Sequence, residues 1–147
     1  MNEKLIICSG ALFYTLDTNR MLFLYRKASK RNNQWGIVGG TNEPGESPWE
    51  GLKREIEEEI GTVPPILKTI PLETFVSSDK HFHFHTYLCV IKEEFIPTLN
   101  SEHDGYAWAS FDSWPRPLHH GLKNTLTNKV NRAKLETVFR LADLFRN

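Results

Sequence analysis

Four glutamates fall within the short segment "REIEEEIG", residues 54–61: Glu55, Glu57, Glu58 and Glu59. Gly61 and the following "TVPP" predict that a helix ends here, where the partial negative charge of the helix dipole disfavours acidic side chains. Glu55 and Glu59 stand four residues apart, and like charges at that spacing repel by about 0.2–0.5 kcal/mol. A divalent cation would relieve both conflicts, because clustered carboxylates are ligands that Mg²⁺ and Mn²⁺ prefer.

The same helix has a predicted buried face beside these acids. At about 100° per residue, its apolar side chains share one arc: Trp49, Leu52, Ile56 and Ile60. Glu55, Glu58 and Glu59 occupy a neighbouring arc, whereas Glu57 points away. A charged surface helix without a metal would give the same arrangement, so the helical wheel leaves both interpretations open.

The start of this helix is marked by its capping residues. Ser47 is the predicted N-cap, and Pro48 suits the first helical position. Glu50 completes an S-x-x-E capping box. Gly61 is the predicted C-terminal stop, because glycine adopts the backbone conformation that ends many helices.

Strand-like segments surround the helix. "LIICSGALFYTL" and "MLFLYRK" predict a hairpin through the turn "DTNR", "RNNQW" predicts a polar loop, and "GIVGGTNEPGES" is rich in turn residues. Further strand candidates are "LKTIPLETFVSS", "HFHFHTYLCVI" and "GYAWASF", and "WPRPLHHGL" predicts a kinked loop. Residues 128–145 predict a closing amphipathic helix with apolar side chains at helical spacing: Val130, Leu135, Val138, Leu141, Ala142 and Phe145. These elements predict one α/β domain over residues 1–147, with a mixed sheet covered by helices.

Composition disfavours several classes of function. The chain has 147 residues with 18 basic and 18 acidic side chains, so no excess charge favours binding to long nucleic acid or to an anionic membrane. We expect neither a signal peptide nor a membrane span, because no apolar run approaches about 18 residues. Cys8 and Cys89 lie in apolar runs and are expected to be buried free thiols, which predicts a cytoplasmic protein.

Residues 40–62, "GTNEPGESPWEGLKREIEEEIGT", resemble the Nudix box, G-x5-E-x7-R-E-U-x-E-E-x-G-U, in which U is a bulky aliphatic residue. Thr62 departs from the final aliphatic position, and Val38 replaces the proline of the W-x-x-P-G-G stretch that often precedes the box. The order of elements extends the resemblance over nearly the whole chain and implies a Nudix-type α/β/α sandwich. The residues that match the box are Gly40, Glu46, Arg54, Glu55, Ile56, Glu58, Glu59 and Gly61.

The resemblance implies an enzyme that uses Mg²⁺ or Mn²⁺ to hydrolyse the pyrophosphate bond between a nucleoside and another group X. Glu58 and Glu59 would be metal ligands, with Glu55 nearby as a ligand or general base. A backbone carbonyl in the turn formed by Gly39 and Gly40 would complete the metal site.

Two further parts of the site are also expected from the resemblance. Glu46 and Arg54 would pair within the active site and hold the loop against the helix, which is a supporting role. Nudix enzymes often supply another glutamate from a late loop, and Glu102 is the candidate ligand or base. His103 and Asp104 are weaker candidates.

Substrate contacts are expected outside the box. Arg26 and Lys27, at a strand end, could contact phosphates, Trp35 could stack on a base, and His119 could reach the substrate from its loop. A solvated strand end and ordinary loop packing are the structural alternatives. His81, His83 and His85 alternate and would lie on one side of a strand, but no cysteine or carboxylate completes a zinc site at clear spacing. His83 and its neighbours are instead expected to line the substrate cleft.

The group X is not defined by the box. Aromatic and histidine residues outside it favour ADP-ribose, FAD or a dinucleoside polyphosphate, because they could hold a second ring or sugar. The alternatives are a nucleoside triphosphate pyrophosphohydrolase and a GDP-mannose-type hydrolase, which has a similar E-H-x-x-Y-x-W stretch. An inactive binding module is disfavoured, since such relatives generally lose box glutamates. The expected partner is therefore a small nucleotide, and a homodimer is left open.

Overall fold

The structure, a computed structural model, describes residues 4–26, 33–144 and 146. Within these residues, strands and helices follow one another in this order: β1 (Ile6–Thr15), β2 (Met21–Arg26), β3 (Trp35–Gly36), β4 (Val38–Thr41), α1 (Pro48–Ile60), β5 (Lys68–Val76), β6 (Phe82–Ile91), β7 (His103–Ala109), α2 (His120–Thr127) and α3 (Lys129–Leu144).

All of these strands join one mixed sheet. Its main path runs β3-β2-β1-β6-β5, while β4 pairs with β1 and β7 pairs with β2. The β1–β6 pair is parallel, and the other pairs are antiparallel. The predicted hairpin of β1 and β2 is confirmed, with Tyr14 opposite Met21.

Helices cover both faces of the sheet. Leu52, Ile56 and Ile60 of α1 pack with Phe13 and Leu24 on one face. The other face is covered by α2 and α3, whose buried residues there are Leu122, Leu126, Leu135 and Ala142. Alternation of strand side chains provides an apolar layer on each face. The predicted α/β/α sandwich is therefore confirmed.

The ends of α1 are those the sequence predicts. The Ser47 hydroxyl accepts a hydrogen bond from the Glu50 amide at 3.2 Å, and the Glu50 carboxylate accepts one from the Ser47 amide at 2.9 Å. Gly61 ends the helix with a φ of 76° and donates its amide to the Glu57 carbonyl at 3.2 Å. No basic residue lies in the last turn, so that turn offers no positive side chain to offset the negative end of the helix dipole.

Three local details differ from what the sequence suggested. The turn-rich segment contains β4, because the extended backbone of Val38–Thr41 pairs with β1, with Gly39 opposite Gly10. The predicted loop "WPRPLHHGL" ends in α2, where the His119 side chain accepts the Gly121 amide as an N-cap.

The third correction concerns α3. The helix is present, but its apolar residues do not all face the core. Val130 and Leu141 are 64% and 52% exposed, whereas Leu135 and Ala142 are buried. Phe145 lies outside the described residues. The buried arc of α3 also includes a polar residue, Asn131, which bonds to Glu73 of β5 at 2.7 Å.

Both cysteines are free, as predicted. Cys89 is fully buried, and burial raises the pKa of its thiol to about 12. Cys8 is only partly buried, and its sulfur lies 3.5 Å from the Thr41 hydroxyl. In the part of the chain that the structure describes, no helix has the length and apolar character needed to cross a membrane.

Candidate active site

Glu59 is the box glutamate that the fold buries. It lies in the last turn of α1 and is 2% exposed. Its carboxylate accepts the Gly39 amide from β4 at 3.1 Å. Burial raises the pKa of the Glu59 carboxyl well above its usual range, the neighbouring Glu55 and Glu102 raise it further, and the Gly39 amide opposes the rise. A buried carboxylate in this setting is a strong candidate for binding a cation.

Two residues from the start of β7 approach Glu59. Glu102 lies in the turn before β7, and His103 is the first residue of the strand. Carboxylate oxygens of Glu59 and Glu102 and a ring nitrogen of His103 all lie within 4.8 Å of one another. Antiparallel pairing of β7 with β2 places them there, because it sets His103 opposite Arg26.

Glu55 lies one helical turn before Glu59 and against β4. Its carboxylate is 14% exposed, and its electrostatic contact with Glu59 contributes to the raised pKa of that residue. A Cβ atom on Gly40 would lie 2.6 Å from the Glu55 carboxyl carbon. A glycine is therefore needed at position 40 for the strand and this carboxylate to lie side by side.

Arg54 connects the loop, the strand and the helix around these acids. Its guanidinium pairs with both oxygens of Glu46, at 2.9 and 3.1 Å, and donates to Glu55 at 3.1 Å and to the Thr41 carbonyl at 3.2 Å. The hydrogen bonds from Arg54 lower the pKa of the Glu46 carboxyl. This bidentate pair is the expected contact between Glu46 and Arg54.

Glu58 has a different environment from its neighbour. Its side chain is 54% exposed and lies 3.5 Å from Arg54, and it is absent from the group formed by Glu59, Glu102 and His103. The structure therefore separates two residues that the sequence suggested as equivalent ligands. Glu57 is exposed, as the wheel predicted.

The residues present fit a divalent cation. Within the described residues, the Glu59 carboxylate accepts a hydrogen bond from the Gly39 amide and lies close to Glu55, Glu102 and His103. Two carboxylates and an imidazole converge from the end of α1 and from the start of β7. A bound ion would balance their charge with donor atoms that divalent metals accept. The expected carbonyl ligand would come from β4 rather than from a turn, since Gly39 and Gly40 are strand residues.

The positively charged side chain of Arg26 lies near the acid cluster. A Cβ atom added to Gly36 would lie 3.2 Å from the Arg26 Nε atom. Burial is the main cause that lowers the pKa of His103, and the charge of Arg26 lowers it further. Arg26 is thus placed beside the cluster, where a phosphate could be bound. Lys27 lies outside the described residues.

Trp35 and His119 meet each other through their backbones. The His119 amide donates to the Trp35 carbonyl at 2.8 Å, and the Trp35 amide donates to the Pro117 carbonyl at 2.8 Å. The Trp35 ring packs on Tyr25 with centroids 5.0 Å apart. Trp35 is partly buried by these contacts, and His119 caps α2.

His83 lies on β6, next to His85 on the same face, with ring centroids 6.4 Å apart. That face continues to Tyr87, which packs on Trp49 of α1. The His83 ring lies 3.2 Å from the Lys80 carbonyl. Among the described residues, the histidine strand is not part of the acid cluster.

Two features were underestimated from the sequence. His103 was a weak candidate, yet it is buried beside Glu59. The sequence feature that could have indicated it is its position directly after Glu102, at the first residue of a strand. Phe75, Phe82 and Phe84 form a row across β5 and β6 with centroid spacings of 6.2 and 6.4 Å. Alternation along β6 indicated that Phe82 and Phe84 share a face, but only strand pairing adds Phe75.

A separate groove of about 480 Å³ runs along α1, between Trp49, Glu57 and Ile66. None of the clustered acids lines it. The candidate site is instead the region where the end of α1, β4 and the start of β7 meet.

The sequence matches the NUDIX domain family over residues 8–128. The chain therefore belongs to the Nudix family, and it is a pyrophosphohydrolase that acts on pyrophosphate bonds of nucleotides. The resemblance carried by the box is confirmed.

Curated relatives and a solved structure agree with this assignment. The chain is 29% identical over 148 residues to nucleoside triphosphatase NudI of Escherichia coli K12, covering 91% of this chain and 98% of that protein. It is 32% identical over 114 residues to dihydroneopterin triphosphate diphosphatase of Haemophilus influenzae, covering 67% and 70% of the two chains. A MutT NUDIX hydrolase from Burkholderia pseudomallei superposes with a TM-score of 0.69 at 25% identity, covering 84% and 97%.

Proposed function

We propose that this enzyme is metal-dependent and hydrolyses the bond between the α- and β-phosphates of a nucleoside triphosphate, releasing a monophosphate and pyrophosphate. The single observation that carries the metal dependence is the convergence of Glu59, Glu102 and His103 within 4.8 Å. The triphosphate class is supported by similarity over 91% of the chain to a nucleoside triphosphatase.

The roles of the side chains follow from their positions. A bound Mg²⁺ or Mn²⁺ supplies charge neutralisation for the phosphates and lowers the pKa of an attacking water. Glu59 and Glu102 would hold the ion, and Arg26 would bind a phosphate oxygen. Glu55 and Glu102 are the two carboxylates placed to accept a proton from the water. Arg54 holds Glu55 in place.

A second candidate substrate is a nucleoside diphosphate linked to another moiety, such as ADP-ribose, FAD or a dinucleoside polyphosphate. The row of Phe75, Phe82 and Phe84 favours it, since Phe75 is 51% exposed and Phe84 reaches Gly10, the residue opposite Gly39. Such a row offers a stacking surface for a second ring or sugar.

Product identification separates these candidates. The enzyme is incubated with Mg²⁺ or Mn²⁺ and equal concentrations of nucleoside triphosphates, ADP-ribose, FAD, dinucleoside polyphosphates and GDP-mannose, and products are resolved by chromatography. We expect the highest kcat/KM for a triphosphate, with monophosphate and pyrophosphate as products. Release of orthophosphate and a diphosphate would contradict the proposed bond, and a higher kcat/KM for a linked diphosphate would favour the second candidate.

Matched variants link activity to the site. Glu59→Gln should lower kcat by at least about 100-fold, because a neutral amide cannot hold the cation. Glu57→Gln, on the exposed side of α1, should retain wild-type kcat. Near wild-type turnover by the Glu59 variant would contradict the metal assignment.

A further inference from the structure

His103 is the one member of the Glu59, Glu102 and His103 cluster that carries a nitrogen donor. It is 8% exposed, and among the described residues its Nδ1 atom is buried without a hydrogen-bond partner. An unsatisfied buried polar atom destabilises the folded state. Such an atom in a native fold calls for a ligand or a water that satisfies it.

The surroundings of His103 favour a cation as that ligand. A ring nitrogen lies within 4.8 Å of oxygens of both Glu59 and Glu102. Two carboxyl groups meet the imidazole at the same point, and the hydrogen bond that Glu59 accepts comes from the neutral Gly39 amide. A water would satisfy the imidazole but would not supply the positive charge that favours the ionised form of two neighbouring carboxyl groups. An ion shared by all three side chains satisfies both requirements.

The donor set also discriminates among ions. Mg²⁺ binds oxygen donors and keeps much of its hydration shell. Imidazole is instead a ligand for transition metals, and Mn²⁺ tolerates mixed nitrogen and oxygen donors and binds nitrogen-containing sites more readily than Mg²⁺ does.

We propose that His103 is a nitrogen ligand to the ion held between Glu59 and Glu102, and that this ligand makes the site select Mn²⁺ over Mg²⁺. The inference rests on the proposed metal-dependent function, because it concerns the same ion. It goes beyond that function by adding a ligand that does not belong to the glutamate box and by assigning the metal preference to it.

Electron spin-echo spectroscopy of the Mn²⁺-loaded full chain tests the ligand directly. We expect ¹⁴N modulation from a coordinated imidazole, and replacement by ¹⁵N-histidine should change it without any mutation. His103→Gln should abolish the modulation, whereas His120→Gln, an exposed histidine on α2, should leave it intact. If His103→Gln fails to fold, His103→Asn and the isotope experiment on the wild-type chain still decide the matter.

Ion titrations test the selectivity. His103→Gln should weaken Mn²⁺ binding about 10-fold or more, in line with the 10–100-fold losses seen even for outer ligands of metal sites. Mg²⁺ binding should change by less than about threefold, since Mg²⁺ favours oxygen ligands. Equal losses for both ions would overturn the assigned selectivity.

The outcomes separate this inference from the proposed function. Mn²⁺-dependent turnover without ¹⁴N modulation overturns the role of His103 and leaves the function standing. Absence of both Mn²⁺ and Mg²⁺ binding overturns the two together. Nitrogen modulation that persists in His103→Gln assigns the ligand to another histidine and also overturns the inference.

Discussion

Glu58 and Glu59 are adjacent in the sequence but differ in what surrounds their carboxylates. Glu59 is 2% exposed and bonds to Gly39, whereas the Glu58 side chain is 54% exposed and lies near Arg54. Consecutive helical residues point about 100° apart, so only one of them can face β4. At the scale of single residues, burial and not sequence proximity defines the site.

Glu102 provides a test of the carboxylate that comes from the turn before β7. Glu102→Gln should lower kcat by about 10²–10⁴, the range for loss of a positioned base, and a comparable loss is expected if it is a ligand. Folding stability should change little, because Glu102 is exposed. Steady-state kinetics and urea unfolding measure the two quantities.

Asp104 is the matched control for Glu102. It is an exposed acid two residues away and does not belong to the group formed by Glu59, Glu102 and His103. Asp104→Asn should therefore be mild. Full kcat in the Glu102 variant with an unchanged metal dependence would show that Glu102 is only a surface residue.

The two thiols should react at very different rates. Because burial raises the pKa of Cys89 to about 12, only about 1 in 10⁴ of these thiols is ionised at pH 8. A thiol-specific reagent at pH 8 should label the partly buried Cys8 in the folded protein and both cysteines in urea, as mass spectrometry would show. Rapid labelling of Cys89 in the native protein would contradict its described burial.

At the scale of elements, β4 carries the contacts that place α1 beside the sheet. Its residues pair with β1, the Gly39 amide bonds to Glu59, and the Thr41 carbonyl accepts Arg54. Gly39 and Gly40 allow these close contacts, because consecutive strand positions point to opposite sides of the strand and glycine leaves both sides without a side chain. Gly39 lies against the β1 backbone and Gly40 against the Glu55 side chain.

Alanine at each glycine should have a different effect. In Gly39→Ala, the new Cβ would lie 2.3 Å from the Ser9 carbonyl oxygen, so the backbone must shift and the free energy of unfolding should fall by about 1–3 kcal/mol. In Gly40→Ala, the Cβ meets the flexible Glu55 side chain at 2.6 Å. That variant should remain stable but lose about 10-fold or more in kcat, since misplacing a group at the site by about 1 Å is costly.

Urea unfolding and steady-state kinetics on both variants measure these effects. The reverse pattern, with a stable Gly39 variant and an unfolded Gly40 variant, would show that the described packing of β4 is wrong. Equal losses of stability would mean that Glu55 cannot move away from the strand.

At the scale of the whole molecule, we expect metal binding to be coupled to folding. The group formed by Glu59, Glu102 and His103 draws on α1 and on the start of β7, more than 40 residues apart in the chain. The unfolded chain does not hold these groups together, so an ion that binds them stabilises the native state. The ion would also relieve the repulsion among the acids.

Thermal unfolding should reveal this coupling. At an ion concentration 100 times Kd, binding adds about 2.7 kcal/mol, which should raise the melting temperature by about 5–10 °C for a chain of this size. Glu57→Gln should keep the full shift, and Glu59→Gln should lose it. A shift that survives in the Glu59 variant would place the ion elsewhere.

The sequence by itself determined the family, the reaction and the local structure of α1. The capping box joins Ser47 to Glu50, and Gly61 closes the helix through Glu57. These contacts span only a few residues, so the pattern of residue types is enough to predict them. Alternation along β6 likewise predicted that the histidines and phenylalanines take opposite faces, because side chains in a strand alternate.

Only the tertiary structure decided which of these residues meet. The burial of Glu59, the arrival of Glu102 and His103, and the strand conformation of Gly39 and Gly40 depend on the pairing of β4 with β1 and of β7 with β2. That register joins residues far apart in the chain, and a shift by one residue would turn His103 to the other face. Local propensity carries no information about such pairing, because it is set by the packing of the whole sheet between its helices.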